Sequence, residues 1–243
     1  MVVAAIRGRN CSRYIGRCLK SLIGQSYTDW KALVVLDAPT DNSEAVARQI
    51  ANRSENIKIV VQPKRFGLGY NMKYAIDKAI IEFGASPDDI IAVVDADDWL
   101  LPKAFRKVVK TYEKHEGCLL TYGSYVKQSK GRRTKVSRKY ADGCSVRREP
   151  WHASHLKTFK AKLYEKLNDD SVFKDSKGKW LDAASDLALM FPLIELAGLH
   201  RCRHIAKAIY MWRDSTPQKT KRALQLECEK IVRAKLPLKM AKI

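Results

Sequence analysis

Short apolar runs and amphipathic stretches alternate through the first hundred residues. Val2–Ile6, Ala32–Leu36, Ile57–Val61 and Ile90–Val94 are the apolar runs. Between them, Arg13–Gln25 places Ile15, Leu19, Leu22 and Ile23 at helical spacing, and Asp41–Arg53 places Ala45, Val46, Ile50 and Ala51 on one face. Gly69–Phe83 does the same through Met72, Ala75, Ile76, Ala79 and Ile80. Short apolar strands separated by amphipathic helices predict a parallel sheet covered on both faces. With right-handed crossovers this is an α/β, doubly wound, Rossmann-like half.

The pattern then becomes less regular. It predicts a helix over Pro102–His115, a strand over Leu119–Val126, helices over Lys157–Leu167 and Ala184–Ala197, and a strand over Ile205–Trp212. Gly198 stands where the Ala184–Ala197 helix needs a cap. Pro217–Leu236 reads as a terminal helix with Leu224, Cys228, Ile231 and Val232 as its apolar stripe. Lys127–Lys139 holds Lys127, Lys130, Arg132, Arg133, Lys135, Arg138 and Lys139 and no acid, which predicts a basic hairpin or loop. No repeat or linker divides the chain. One unit over 1–243 is expected, with halves 1–100 and 101–216 on one continuous sheet and a basic helix over 217–243.

A length of 243 residues with 46% apolar side chains supports a sizeable core and excludes disordered, collagen-like and low-complexity classes. The net charge of +20 is one-sided. Residues 1–100 hold 13 basic and 12 acidic side chains, and the remainder hold 33 and 14. A polyanion facing the second half is implied: nucleic acid, an anionic membrane or an acidic glycan. The six cysteines form no CxxC pair, and His200, Cys202 and His204 read as ordinary residues at a strand start. No signal-peptide pattern and no bilayer-spanning run is visible, so a soluble, reduced, cytoplasmic protein is expected, peripheral to DNA or to the inner membrane face.

Ligands of open parallel sheets sit at the carboxyl ends of the strands. Here those ends are Arg7-Gly8-Arg9-Asn10, Asp37-Ala38-Pro39-Thr40-Asp41, Gln62-Pro63-Lys64-Arg65-Phe66-Gly67 and Asp95-Ala96-Asp97-Asp98. Hydrogen-bonding groups, cations and a carboxylate cluster on one edge suit a nucleotide with a pyrophosphate and a divalent metal. Three carboxylates within four residues repel one another unless a cation neutralises them, and a hard Mg²⁺ or Mn²⁺ fits. Capping of the following helix would account for Asp98 but not for Asp95 and Asp97 as well.

These residues, in this order, resemble family 2 glycosyltransferases. Val2–Ile6 with Asn10, Tyr14, Cys18-Leu19 and Gln25-Ser26-Tyr27 resembles the family's opening strand and helix. Leu36-Asp37-Ala38-Pro39-Thr40-Asp41-Asn42-Ser43 resembles its second, acidic motif, and Asp95-Ala96-Asp97-Asp98 its DXD motif. Ser185-Asp186 stands where the family carries Glu-Asp, and Tyr210-Met211-Trp212-Arg213 resembles the segment that closes on the donor phosphates. Residues 151–160 resemble a Ser-His-Leu-Lys-Thr-Phe stretch of some members. The chain departs from the family at Arg7, Gly8 and Arg9, which replace Pro-Thr-Tyr, at Leu36, and at Ser185.

The resemblance implies a GT-A fold, a mostly parallel central sheet flanked by helices with a smaller acceptor-side subregion. It also implies an inverting transfer from a nucleotide-sugar, a UDP-sugar first among them, with Mn²⁺ or Mg²⁺. Asp97 and Asp95 would bind the metal. Asn10, Asp37, Arg65, Asn71, Asp95, Ala96 and Arg213 would contact the donor, and Asp186 would be the base. From residue chemistry alone Asp186 reads as a helix cap, and the resemblance reverses that order. Trp151, His152, Ser154, His155 and Lys157 are expected on a loop facing sugar or acceptor, although Trp151 and Phe159 equally suit a core. A metal role for His152 and His155 is not expected, because no carboxylate or thiolate lies close to complete a site. The basic excess falls on the acceptor half. It points to hydroxylated bases in DNA, flipped out of the duplex, or to a surface or lipid-linked glycan at an anionic membrane. A non-catalytic nucleic-acid-binding module would explain the charge but leave Asp95, Asp97 and Asp186 idle.

Overall fold

The computed structural model describes residues 1–130, 137–167, 169–213 and 219–243. Its elements are β1 (Val2–Gly8), α1 (Ser12–Ile23), β2 (Trp30–Leu36), α2 (Ser43–Ala51), β3 (Ile57–Val61), α3 (Leu68–Phe83), β4 (Ile90–Asp95), β5 (Trp99–Leu100) and α4 (Ala104–Lys114). There follow β6 (Leu120–Lys127), β7 (Lys157–Lys160), α5 (Ala161–Tyr164), α6 (Ser185–Ala197), β8 (Cys202–Trp212) and α7 (Lys219–Ala234). One eight-stranded sheet, ordered β3-β2-β1-β4-β7-β6-β8-β5, runs through both halves of the chain. β1 to β4 are mutually parallel, β7 runs antiparallel to β4 and β6, and β8 runs parallel to β6.

Alternate residues of β1 enter different cores. Val3 and Ala5 pack under α3 and α6, and Val2, Ala4 and Ile6 pack under α1 and α4. A strand buried on both faces has no polar side, which is why these runs are continuous in the sequence. Helix α6 is buried at 11 of its 13 positions and is therefore apolar all round. Its exceptions are Asp186 and Glu195. Glu195 takes a two-pronged ion pair from buried Arg147 at 2.6 and 2.9 Å.

Two expectations change. Lys157–Leu167 is not a helix: Lys157–Lys160 is a strand inserted between β4 and β6, and only Ala161–Tyr164 is helical. Sheet pairing on both sides overrides local pattern here. Thr158 Oγ1 lies 2.7 Å from Thr121 Oγ1 and 3.0 Å from Tyr112 Oη, while Phe159 enters the opposite core. In α7 Cys228 and Val232 are buried, but Leu224 is 40% exposed and leaves the predicted stripe. The two-residue strand β5 is too short to show a period. His200 and Cys202 do stand at a strand start, and all six cysteines are free thiols. No helix among the described residues is long and apolar enough to cross a membrane.

Candidate active site

The carboxyl edge of β1, β2 and β4 opens into a cavity of about 540 Å³, lined among others by Arg7, Asn10, Tyr14, Asp37, Asn71, Asp95, Asp97 and Arg213. Parallel register sets Arg7 beside Asp95. Gly8 lets the turn after β4 come close: a Cβ there would lie 2.4 Å from that of buried Ala96. Asn10, at φ 50, ties two loops together by accepting from the Thr40 amide at 2.8 Å and donating to Thr40 Oγ1 at 3.1 Å. Asp37 accepts from the amides of Phe66 at 2.7 Å and Gly67 at 3.1 Å, so it holds the loop before α3 against the cavity wall. Asn71 donates to the Gly67 carbonyl and accepts from Gln62. Arg65 and Lys64 are exposed and do not line the cavity.

The three clustered carboxylates have different surroundings. Asp95 Oδ1 meets Arg7 at 3.1 Å. Asp97, the most open, meets Arg213 at 2.6 Å. The Arg213 guanidinium also lies over the Tyr14 ring. Asp98 is buried and caps no helix, since α4 starts at Ala104. It accepts from Tyr210 Oη at 2.8 Å and from the Arg213 amide at 2.7 Å. Burial, with Asp95 and Asp97 beside it, pushes its carboxyl up to about 8. The edge thus sets Asp95 and Asp97, each paired with one arginine, beside a third, buried carboxyl. Its hard oxygen donors fit Mg²⁺ or Mn²⁺.

A second cavity of about 410 Å³ adjoins the first and shares Arg7, Leu68, Asp95 and Asp97 with it. Its other walls include Trp151, Asp186, Trp212, Gln225 and Glu229. Asp186 lies in the first turn of α6 but does not cap it: the residue before the helix is Ala184, with no side-chain cap. Instead Asp186 Oδ1 meets Arg7 at 3.1 Å and Oδ2 meets Lys157 at 2.8 Å. Burial alone would raise its pKa, but Lys157 and Arg7 outweigh it and hold the carboxyl well below the usual carboxylate range.

Within the 151–160 segment, 151–156 has no helix or strand and is largely buried, and Lys157–Lys160 is the strand β7. Lys157, in β7, is 1% exposed and lies between Asp186 and His155 Nδ1, the latter at 3.1 Å. His155 stacks on Tyr210 at 4.5 Å. It also brings a ring nitrogen within 4.8 Å of carboxylate oxygens of Asp95 and Asp98, which sequence distance had concealed. Trp151 packs edge-on to Phe191 and borders the second cavity, and Phe159 is core. His152 is buried and accepts from Arg138, and Ser154 is buried away from both cavities. Burial and Lys157 push His155 down to about 4 from 6.5. The unfolded chain therefore binds this proton first as pH falls, and the associated stability is lost between about 6.5 and 4. His155→Phe keeps the stack and is expected to remove about 2–3 kcal/mol of the stability lost between pH 7 and 4.5, read from urea midpoints.

Of the predicted basic segment, Lys127 ends β6 with its ammonium over Trp212, which borders the second cavity. Lys139 is exposed beside Asp142. Arg132, Arg133 and Lys135 lie outside the described residues, and Lys130 closes a short 3₁₀ turn. The sequence left three contributors unassigned: Arg7, Tyr210 with its hydroxyl on Asp98, and α7, which supplies Gln225 and Glu229. A charged residue ending a buried strand, as Arg7 does, was the available signal.

The architecture and this paired-cavity edge define a GT-A glycosyltransferase fold. The chain belongs to glycosyl transferase family 2, whose family model matches residues 6–181. It is 30% identical over 107 residues to EpsE of Bacillus subtilis (strain 168), which is named as a glycosyltransferase, covering 44% of this chain and 36% of EpsE. The chain spans about a third of the length of the curated relatives it matches first. Staphylococcus aureus TarS 1–349 in complex with UDP superposes with a TM-score of 0.64 at 18% identity, covering 88% of this chain and 60% of that one. Glucosyl-3-phosphoglycerate synthase of Mycobacterium tuberculosis, in complex with Mn²⁺, UDP-glucose and glycerol 3-phosphate, gives 0.61 at 16% identity over 98% and 81%.

Proposed function

We propose that this chain transfers a sugar from a nucleotide-sugar to an acceptor hydroxyl by a single displacement that inverts the anomeric carbon. The carrying observation is that the donor-edge carboxylate Asp95 and the acceptor-side carboxylate Asp186 meet across one arginine, Arg7, in two cavities that share a wall to which Asp97 also belongs. Asp37, Asn71 and Asn10 form the wall on which the nucleoside rests. Asp97 and Asp95 would hold a Mn²⁺ or Mg²⁺ ion, which when bound neutralises charge on the departing diphosphate. Arg213 adds a cation at the same edge. Asp186, held ionised by Lys157, faces the second cavity and takes the proton of the attacking hydroxyl.

A UDP-sugar is the first donor to test, since TarS and the mycobacterial synthase bind uridine nucleotides. Lys127 beside Trp212 and the basic excess of the second half support a polyanionic acceptor. DNA with hydroxylated bases and an anionic surface or lipid-linked glycan both meet that description, so the acceptor assay carries both. Donor turnover is read with UDP-glucose, UDP-GlcNAc and GDP-mannose plus Mn²⁺. Turnover of one supports the enzyme, and neither turnover nor binding of any of them leaves the non-catalytic binding module. Retention on duplex DNA and on anionic liposomes is measured at two salt concentrations. Phosphate contacts predict a steep loss of DNA binding with salt, and indifference to DNA with tight liposome binding removes the DNA acceptor.

A further inference from the structure

Arg7 occupies a position that no assigned step uses. Its guanidinium nitrogen lies 3.1 Å from Asp95 and 3.1 Å from Asp186, and it lines both cavities. Its Nε is buried and finds no hydrogen-bond partner among the described residues. Asp186 does not depend on Arg7 alone, because Lys157 holds its other oxygen. A base engaged on both oxygens by cations is a poor proton acceptor. A nucleoside diphosphate entering the first cavity brings phosphate oxygens to the edge that Arg7 lines, and a guanidinium binds them strongly in a two-pronged manner.

We propose that Arg7 is a shared cation, held by Asp186 when the donor site is empty and drawn to the diphosphate when it is filled, so that donor binding releases the base. This rests on the glycosyltransferase function proposed above. Arg7 is a positioning residue for Asp186 and a contact for the donor. Because the exchange is a coupling between two sites, it is reciprocal: whatever frees Arg7 from Asp186 tightens the diphosphate. Coupling of this kind is commonly worth five-fold or more in affinity. The arrangement also orders the reaction, with the base competent only after the donor has arrived.

A double-mutant cycle on UDP binding tests this without turnover. UDP affinity with Mn²⁺ is measured by calorimetry for the wild type, Asp186→Asn, Arg7→Met and the double variant, with Arg7→Lys as the conservative control. Asp186→Asn is expected to tighten UDP about fivefold when Arg7 is present. Arg7→Met is expected to weaken it about tenfold, and Arg7→Lys to restore part of that loss. In the Arg7→Met background Asp186→Asn is expected to change nothing. Equal tightening by Asp186→Asn in both backgrounds, a purely additive cycle, overturns the shared cation and indicates simple charge repulsion between Asp186 and UDP. Full affinity in Arg7→Met overturns it as well. Failure of UDP and GDP alike to bind the wild type instead removes the proposed function, and the inference falls with it.

Discussion

Asp186→Asn is expected to lower kcat about a thousandfold while the protein still folds and still binds donor. The magnitude is that of removing a positioned general base, about 10²–10⁴. Asparagine keeps the shape of the side chain and an oxygen that accepts from Lys157, so the buried ammonium is not left bare. It has no lone pair basic enough to take the acceptor proton. Loss of the Lys157 and Arg7 ion pairs is expected to cost a few degrees of melting temperature, since breaking buried charge pairs destabilises. Asp186→Glu separates charge from position: it keeps the carboxylate but moves it by one methylene. Restored melting temperature with persistently low kcat in that variant attributes the loss to geometry at the reacting hydroxyl. Full turnover by Asp186→Asn with unchanged folding would sink the base assignment.

The first hundred residues were legible because their strands are buried on both faces and their helices are amphipathic, so each element carries its period in its own residues. Asp95 and Asp97 were legible as carboxylates crowded at a strand end, and Asp186 only through the resemblance in order and spacing. What escaped was whatever depends on partners far along the chain. Arg7 meets Asp186 across 179 residues, and nothing near either position announces the contact. Lys157–Lys160, at the start of the helix expected over Lys157–Leu167, is too short to show a strand period of its own. Only its place between β4 and β6 makes it a strand, and only then does a lysine in a sheet interior become the clamp on Asp186. The charge asymmetry was legible as arithmetic, and the fold gives it one address, Lys127 at Trp212 beside the second cavity. His155 shows the same limit from the other side: its carboxylate neighbours come from β4 and the turn after it.

Asp97→Ala carries the other large effect, an expected fall of about 10³ in kcat/KM, corresponding to several kcal/mol of lost charge stabilisation at the leaving group. The three clustered acids are not equivalent, which makes the prediction specific. Asp98 is buried with its oxygens taken by Tyr210 and the Arg213 amide, and Asp95 shares one oxygen with Arg7. Of the three, Asp97 alone is more than a third exposed; it lines the first cavity and meets the Arg213 side chain. It is therefore the carboxylate that a divalent ion reaches at least cost, exchanging one cation for another. Ligand linkage supplies a readout independent of turnover: an ion bound to the folded protein raises its melting temperature in proportion to the logarithm of its concentration. Wild type is expected to rise with added Mn²⁺, and Asp97→Ala to lose that rise. Asp98→Asn, by contrast, is expected to keep it, because its side chain serves Tyr210 and the Arg213 backbone. A Mn²⁺-dependent rise that survives Asp97→Ala and disappears in Asp98→Asn would reassign the metal to the Asp95, Asp98 and His155 group, whose ligand atoms lie within 4.8 Å of one another.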